Sequence, residues 1–125
     1  MKHGHGFLAL VEAAKKTVRT CTAAEVKARL DRGDRFVFID VREDLEFNVD
    51  RAAGARHLGR GVIERDIEAE IPDQDAELVL YCGGGFRSVL AAESLAKMGY
   101  RNVVSMDGGM RAWREAGYPV ERGGP

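Results

Sequence analysis

At 125 residues the chain can bury one hydrophobic core but is too short for two ordinary domains. A formal net charge of −1, with basic residues scattered along the chain, argues against nucleic acid or an anionic membrane as a partner. Two cysteines, no signal-peptide pattern and no long apolar run point to a soluble protein of the cytoplasm.

The chain opens with a glycine-rich stretch holding His3 and His5, expected to be disordered. Two histidines without a Cys-x-x-Cys make a poor metal site, so no metal is expected. Phe7 to Val18 places Leu8, Val11, Ala14 and Val18 roughly on one face and predicts an amphipathic helix. Its apolar face has to be covered, and packing on the same domain is favoured over dimerisation. Thr22 and Glu25, separated by two alanines, form a capping-box sequence that starts a second helix reaching about Leu30. Asp31 to Asp34 ends it in a turn. Phe36 to Asp40 is a nearly continuous apolar run, typical of a strand buried on both faces. Glu43 to Val49 predicts a short helix, His57-Leu58 a brief strand, and Val62 to Glu70 a helix stopped by Ile71-Pro72. Leu78 to Tyr81 predicts a strand, Ser88 to Met98 a helix, Asn102 to Ser105 a strand and Met110 to Glu115 a helix. Strands alternating with helices imply an α/β fold with a mainly parallel sheet covered on both faces. Ligands of such sheets sit at the carboxyl ends of the strands, where Asp40, Cys82 and Asp107 all fall.

The run from Tyr81 to Ser88 carries the chemistry. Cys82 lies between the end of a strand and the start of a helix, where backbone N–H groups and the helix dipole favour negative charge. A cysteine held there is suited to react as its thiolate. Gly83, Gly84 and Gly85 let the backbone curl its N–H groups toward one centre, through Phe86 to Ser88. Arg87 adds a permanent cation with five donors. Such a cradle suits a thiolate, a persulfide or a small oxyanion. The plainer alternative is a buried apolar cysteine beside an ordinary glycine turn.

Three segments resemble the rhodanese-like domain family. Cys82-x-x-Gly85-x-Arg87-Ser88 is similar to its active-site loop. Phe38 to Glu43, followed by Glu46-Phe47 and Gly54-Ala55, resembles its first signature. Asp107-Gly108-Gly109-Met110, then Ala112-Trp113 and Ala116 to Val120, resembles its C-terminal signature. The resemblance implies a three-layer domain over residues 20–122, preceded by a helical extension over residues 1–19. Where the family reads Gly-His-Ile-Pro-Gly-Ala, this chain reads Asp50 to Ala55, keeping only the closing Gly54-Ala55. That segment lies near the family's active site, so the change bears on substrate preference.

The resemblance implies a sulfurtransferase in which Cys82 takes a sulfane sulfur from a small donor such as thiosulfate. No cofactor is implied beyond a transient persulfide on Cys82. Cyanide, a small thiol or a protein cysteine would then accept the sulfur, in two half-reactions. The N–H groups of Gly83 through Ser88 would stabilise the anionic sulfur. Arg87 would either hold an anionic donor or lock the loop by pairing with a carboxylate. Asp40 could order the loop through its N–H groups or Arg87, or simply cap or pair elsewhere. Arg42 is expected to tie Asp107 or a neighbouring carboxylate. Trp113 and Met110 are expected in the core, and Gly108 and Gly109 to permit a close turn near the loop. His57 reads as a partly exposed structural residue. Cys21 reads as inert, and a Cys21–Cys82 disulfide would occupy the nucleophile. Four residues separate Cys82 from Arg87, whereas tyrosine-phosphatase sites carry Cys-x5-Arg, so the short loop favours sulfur over phosphatase or arsenate-reductase chemistry. A regulatory or partner-directed relay module is the remaining alternative.

Overall fold

The central strand β5 (Glu77–Tyr81) shows how the sequence builds the domain. Its residues alternate between two cores: Leu78 and Leu80 face one, Val79 and Tyr81 the other, and all four are buried. Strand β2 (Val37–Asp40) repeats the alternation, with Ile39 in the first core and Phe38 in the second. A strand apolar on both sides needs helices on both sides.

In this computed structural model, which describes residues 2–123, those helices are present. On one face lie α4 (Ile63–Glu70), through Ile63 and Ile67, and α5 (Phe86–Lys97), through Ala91, Ala92 and Leu95. On the other lie α2 (Ala23–Arg32), through Ala23 and Val26, and α6 (Gly109–Glu115), through Met110 and Trp113. Strands β1 (Arg19–Cys21), β6 (Asn102–Met106) and β4 (Arg56–His57) complete a parallel sheet in the order β1-β6-β5-β2-β4. Helix α1 (His5–Lys15) packs outside α5 and buries Val11 and Ala14, so that part of its apolar face is covered within the chain, while Leu8 stays exposed.

Several boundaries differ from expectation for local reasons. Helix α1 stops at Lys15, and the Val18 N–H bonds back to the Ala14 carbonyl to close the last turn. Helix α5 starts at Phe86, two residues early, because Gly85 supplies the left-handed N-cap (φ +103°). Three short strands have no apolar pattern to announce them, one at the edge of this sheet and two outside it. Polar, three-residue β1 pairs with β6, and β3 (Asp50–Ala52) pairs antiparallel with β7 (Val120–Arg122). The departure from the family signature at Asp50–Ala52 thus forms a two-stranded ribbon.

That ribbon is tied down by buried charge. Arg42 and Asp40 meet with Nε to Oδ1 at 3.0 Å and a terminal guanidinium nitrogen to Oδ2 at 2.8 Å, and both residues are almost fully buried. Arg42 also donates to the Asp50 carbonyl, while Asp50 takes two hydrogen bonds from Arg114 on α6. Burial works against the Arg42 charge, but its bonds and charge pairing with Asp40 outweigh that and raise its pKa. Of the readings offered, Asp40 thus takes the pair elsewhere rather than a bond to the Cys82 loop or Arg87, and Arg42 takes the neighbouring carboxylate rather than Asp107. The reason is reach: two residues apart at a strand end, the two side chains close on each other first.

Replacing Arg42 with Met should lower stability by about 3–5 kcal/mol, because it strands a buried carboxylate. Adding Asp40→Asn to that variant should restore much of the loss; chemical denaturation of the two proteins measures the difference.

Candidate active site

Cys82 follows β5 directly, and its loop is shaped by where the carbonyl groups go. The Cys82 carbonyl accepts from the Met110 N–H at 2.8 Å, and the Gly83 carbonyl from the Arg111 N–H at 3.0 Å. Both donors belong to the first turn of α6, whose N–H groups have no partner within the helix. These two bonds hold the first two carbonyls of the loop against α6. The Gly85 N–H reaches the Cys82 Sγ at 3.1 Å. The Ser88 hydroxyl lies 3.6 Å from the same sulfur, and contacts the Gly85 carbonyl at 3.3 Å and the Ser105 hydroxyl at 2.8 Å. Only 1% of Cys82 is exposed, so the loop rather than bulk water sets the sulfur's surroundings.

The approach of α6 needs Gly108 and Gly109. Gly109 has φ +50°, and a methyl group there would overlap the Cys82 carbonyl. Gly108 has φ +73°, and its N–H lies 3.2 Å from where a Gly85 Cβ would stand. The close turn expected of this pair is present, as are Met110 and Trp113 in the core.

Arg87 does not reach freely into the loop. Its guanidinium forms a bidentate pair with Glu46 on α3 (Asp44–Val49), at 2.7 and 3.1 Å. Of the two roles expected for Arg87, this geometry carries the loop-locking one. Glu46 also accepts from the Glu43 N–H at 3.0 Å as half of a capping box, so α3 holds the carboxylate in place. The hydrogen bond from Arg87 holds the Glu46 carboxyl below its usual range, and Glu46 in turn raises Arg87. The sequence assigns Glu46 no role, and its one local signal is the three-residue spacing from Glu43.

Phe86 opens α5 and meets the start of the chain. Its ring meets His3 edge-on at 4.9 Å and Phe7 at 6.0 Å, and the Lys15 ammonium lies 5.6 Å from its centroid. His3 is thus packed and His5 opens α1, rather than both being disordered. His57 stacks on Phe47 and bonds the Arg42 carbonyl at 2.7 Å, a structural placement.

Cys21 and Cys82 are both free thiols. Cys21 ends β1 and lines a cavity of about 240 Å³ between β1 and α2, with Arg19, Glu25, Arg29 and Glu77. Burial, with help from Glu25 and Asp107, pushes its thiol up to about 11, which keeps it protonated and unreactive. Cys82 does not line that cavity. Among the described residues, no group of three or more His, Cys, Asp or Glu is placed to hold a metal ion.

A family model described as "Rhodanese-like domain" matches residues 22–116. "Probable adenylyltransferase/sulfurtransferase MoeZ" of Mycobacterium tuberculosis is 34% identical over 86% of this chain, which spans 27% of that protein's length. "Thiosulfate sulfurtransferase GlpE" of Pseudomonas fluorescens is 36% identical, covering 68% of this chain and 75% of its own. Among solved structures, a protein of unknown function from Rhodopseudomonas palustris, described as a possible tyrosine phosphatase, superposes with a TM-score of 0.83. It is 30% identical and covers 97% of this chain and 98% of its own.

Two expectations follow from the loop geometry. Gly109→Ala should cost about 1–3 kcal/mol in thermal or chemical unfolding and slow alkylation of Cys82, since the overlap must push the loop off α6. Glu46 keeps its charge below the ordinary glutamate range near 4.3, so its pairing with Arg87 is fully present above that range and lost as pH falls through the lowered value. Alkylation of wild-type and Glu46→Gln protein should therefore differ at neutral pH and converge in acid.

Proposed function

The chain belongs to the rhodanese-like domain family, and on that footing we propose that it is a sulfurtransferase carrying sulfane sulfur as a persulfide on Cys82. The observation that carries this reading is the sulfur itself, cupped by the Gly85 N–H at the amino end of a 12-residue helix. In the first half-reaction the Cys82 thiolate attacks the outer sulfur of a donor such as thiosulfate. The donor's sulfur–sulfur bond breaks and sulfite leaves with the bonding pair. In the second, a thiol, cyanide or a protein cysteine attacks the terminal sulfur, and the Cys82 thiolate departs. Inward-facing N–H donors stabilise the anionic sulfur before and after transfer. The reaction as written needs no bound cofactor. Its recessed nucleophile suits small, slender donors. Two unpaired cysteines suit a reducing compartment, so we assign the protein to the cytoplasm. Among the described residues, no helix is long and apolar enough to cross a membrane.

A phosphatase reading has the Rhodopseudomonas relative in its favour. Two features weigh against it. The loop places four residues between Cys82 and Arg87, too few to ring a tetrahedral phosphoryl group, and Arg87 is already committed to Glu46.

Intact mass after incubation of reduced protein with thiosulfate tests the proposal. Wild-type protein should gain about 32 Da, one sulfur atom, which cyanide removes; Cys82→Ser should gain nothing. A gain only from a protein persulfide would assign the chain to partner-directed relay. No gain from any donor, with release of phosphate from an aryl phosphate, would replace the proposal with the phosphatase reading.

A further inference from the structure

Ser105 is an unusual residue for its place. It sits in β6 beside Leu80 of β5, fully buried, on the face that otherwise carries Val103, Leu80 and the aliphatic residues of α4 and α5. A hydroxyl there costs free energy unless it is bonded. Among the described residues its side chain has one hydrogen-bond partner, the Ser88 hydroxyl at 2.8 Å, and Ser88 is also fully buried.

We infer that Ser105 is a positioning residue for the reacting sulfur, acting through Ser88 as a two-hydroxyl relay. The inference rests on Cys82 being the reacting group. In the thiol state the Cys82 S–H donates toward Ser88, 3.6 Å away, and Ser88 donates to the Gly85 carbonyl at 3.3 Å. Once the sulfur is an anion it can only accept. Ser88 must then turn its proton from the Gly85 carbonyl to the sulfur, and its own oxygen needs a donor. Ser105 supplies that donor, having no other acceptor for its side-chain proton. Each hydroxyl keeps its proton and only rotates, so no proton changes owner. A hydroxyl that accepts one hydrogen bond donates a stronger one, and the effect is larger out of water. The anionic sulfur is thus held by two donors: the Gly85 N–H at 3.1 Å and the Ser88 O–H braced by Ser105.

The test is the pH dependence of Cys82 alkylation by iodoacetamide, followed on the Cys82 peptide by mass spectrometry so that Cys21 does not interfere. Ser105→Ala should displace the profile to higher pH and slow alkylation about tenfold at a fixed pH below its midpoint, as expected for weakening a bond to a charged group. Ser105→Thr, which keeps the hydroxyl, should stay near wild type. Ser105→Cys, close in size and a poorer donor, should fall between them and serves if the alanine variant unfolds. Adding Ser105→Ala to Ser88→Ala should change nothing further, because the relay has no other route. Slowing that is equal at every pH, or additive with Ser88→Ala, would overturn the relay and leave Ser105 a packing residue. This readout needs no sulfur donor. Failure of wild-type protein to form a persulfide would therefore remove the functional reading while the alkylation profiles still judge the relay.

Discussion

The Cys82 loop depends on where two carbonyl groups are sent. A peptide carries a donor and an acceptor on opposite sides, so a loop that turns donors toward a sulfur must turn acceptors away from it. Buried acceptors need partners, and the Cys82 and Gly83 carbonyls find theirs in the Met110 and Arg111 N–H groups. Those donors are free because they open a helix, and they come close because Gly109 has no side chain. The chemistry of residue 82 is thereby built from residues well down the chain. The placement of α6 matters in turn. Trp113 anchors it in the core and donates from Nε1 to the Pro119 carbonyl at 2.8 Å, and Arg114 ties it to Asp50.

Two arginines close to the loop are committed to carboxylates. Arg87 is paired with Glu46, and Arg42 with Asp40 and Asp50. The two pairs differ in kind. Arg87 and Glu46 are each about a third exposed, so water screens them and their pair acts chiefly as a brace. Asp40 and Arg42 are dry, and their pairing fixes geometry at the cost of desolvation. With its arginine neutralised, the cradle attracts anions mainly through oriented N–H groups and the helix dipole.

What could be read from the sequence follows the range of the interactions. The strand, loop and helix around Cys82 were legible because apolar run, glycines and cap lie within about a dozen neighbouring residues. The layered fold followed from the same local signals, repeated. Contacts between distant residues were not legible. Glu46 and Arg87 stand 41 positions apart, and neither sequence neighbourhood names the other. Asp40, which ends a strand on the right edge, carried two readings, a bond to the loop or a pair elsewhere; nothing local showed that Arg42 would be the partner. Strand β1 and the β3–β7 ribbon are too short and too polar to carry a period. The packing of His3 on Phe86 was hidden by glycines that usually signal an unstructured start.

That last contact changes what the loop is. Phe86 stands four residues after Cys82 as the first residue of α5, and its ring is flanked by His3 and Phe7. Both partners precede the stretch that matches the family model, so part of this loop's rigidity comes from outside the family's common core. Helix α1 is fastened along α5 by Val11 and Ala14, which makes the aromatic cluster an extension of the helix packing rather than a loose cover. A cradle of glycines has little stiffness of its own. Its donors hold their aim because three neighbours hold its two sides: α6 beneath the carbonyls, Glu46 at Arg87 and α1 at Phe86. Loosening any one of them would reach the sulfur through the same few peptide groups.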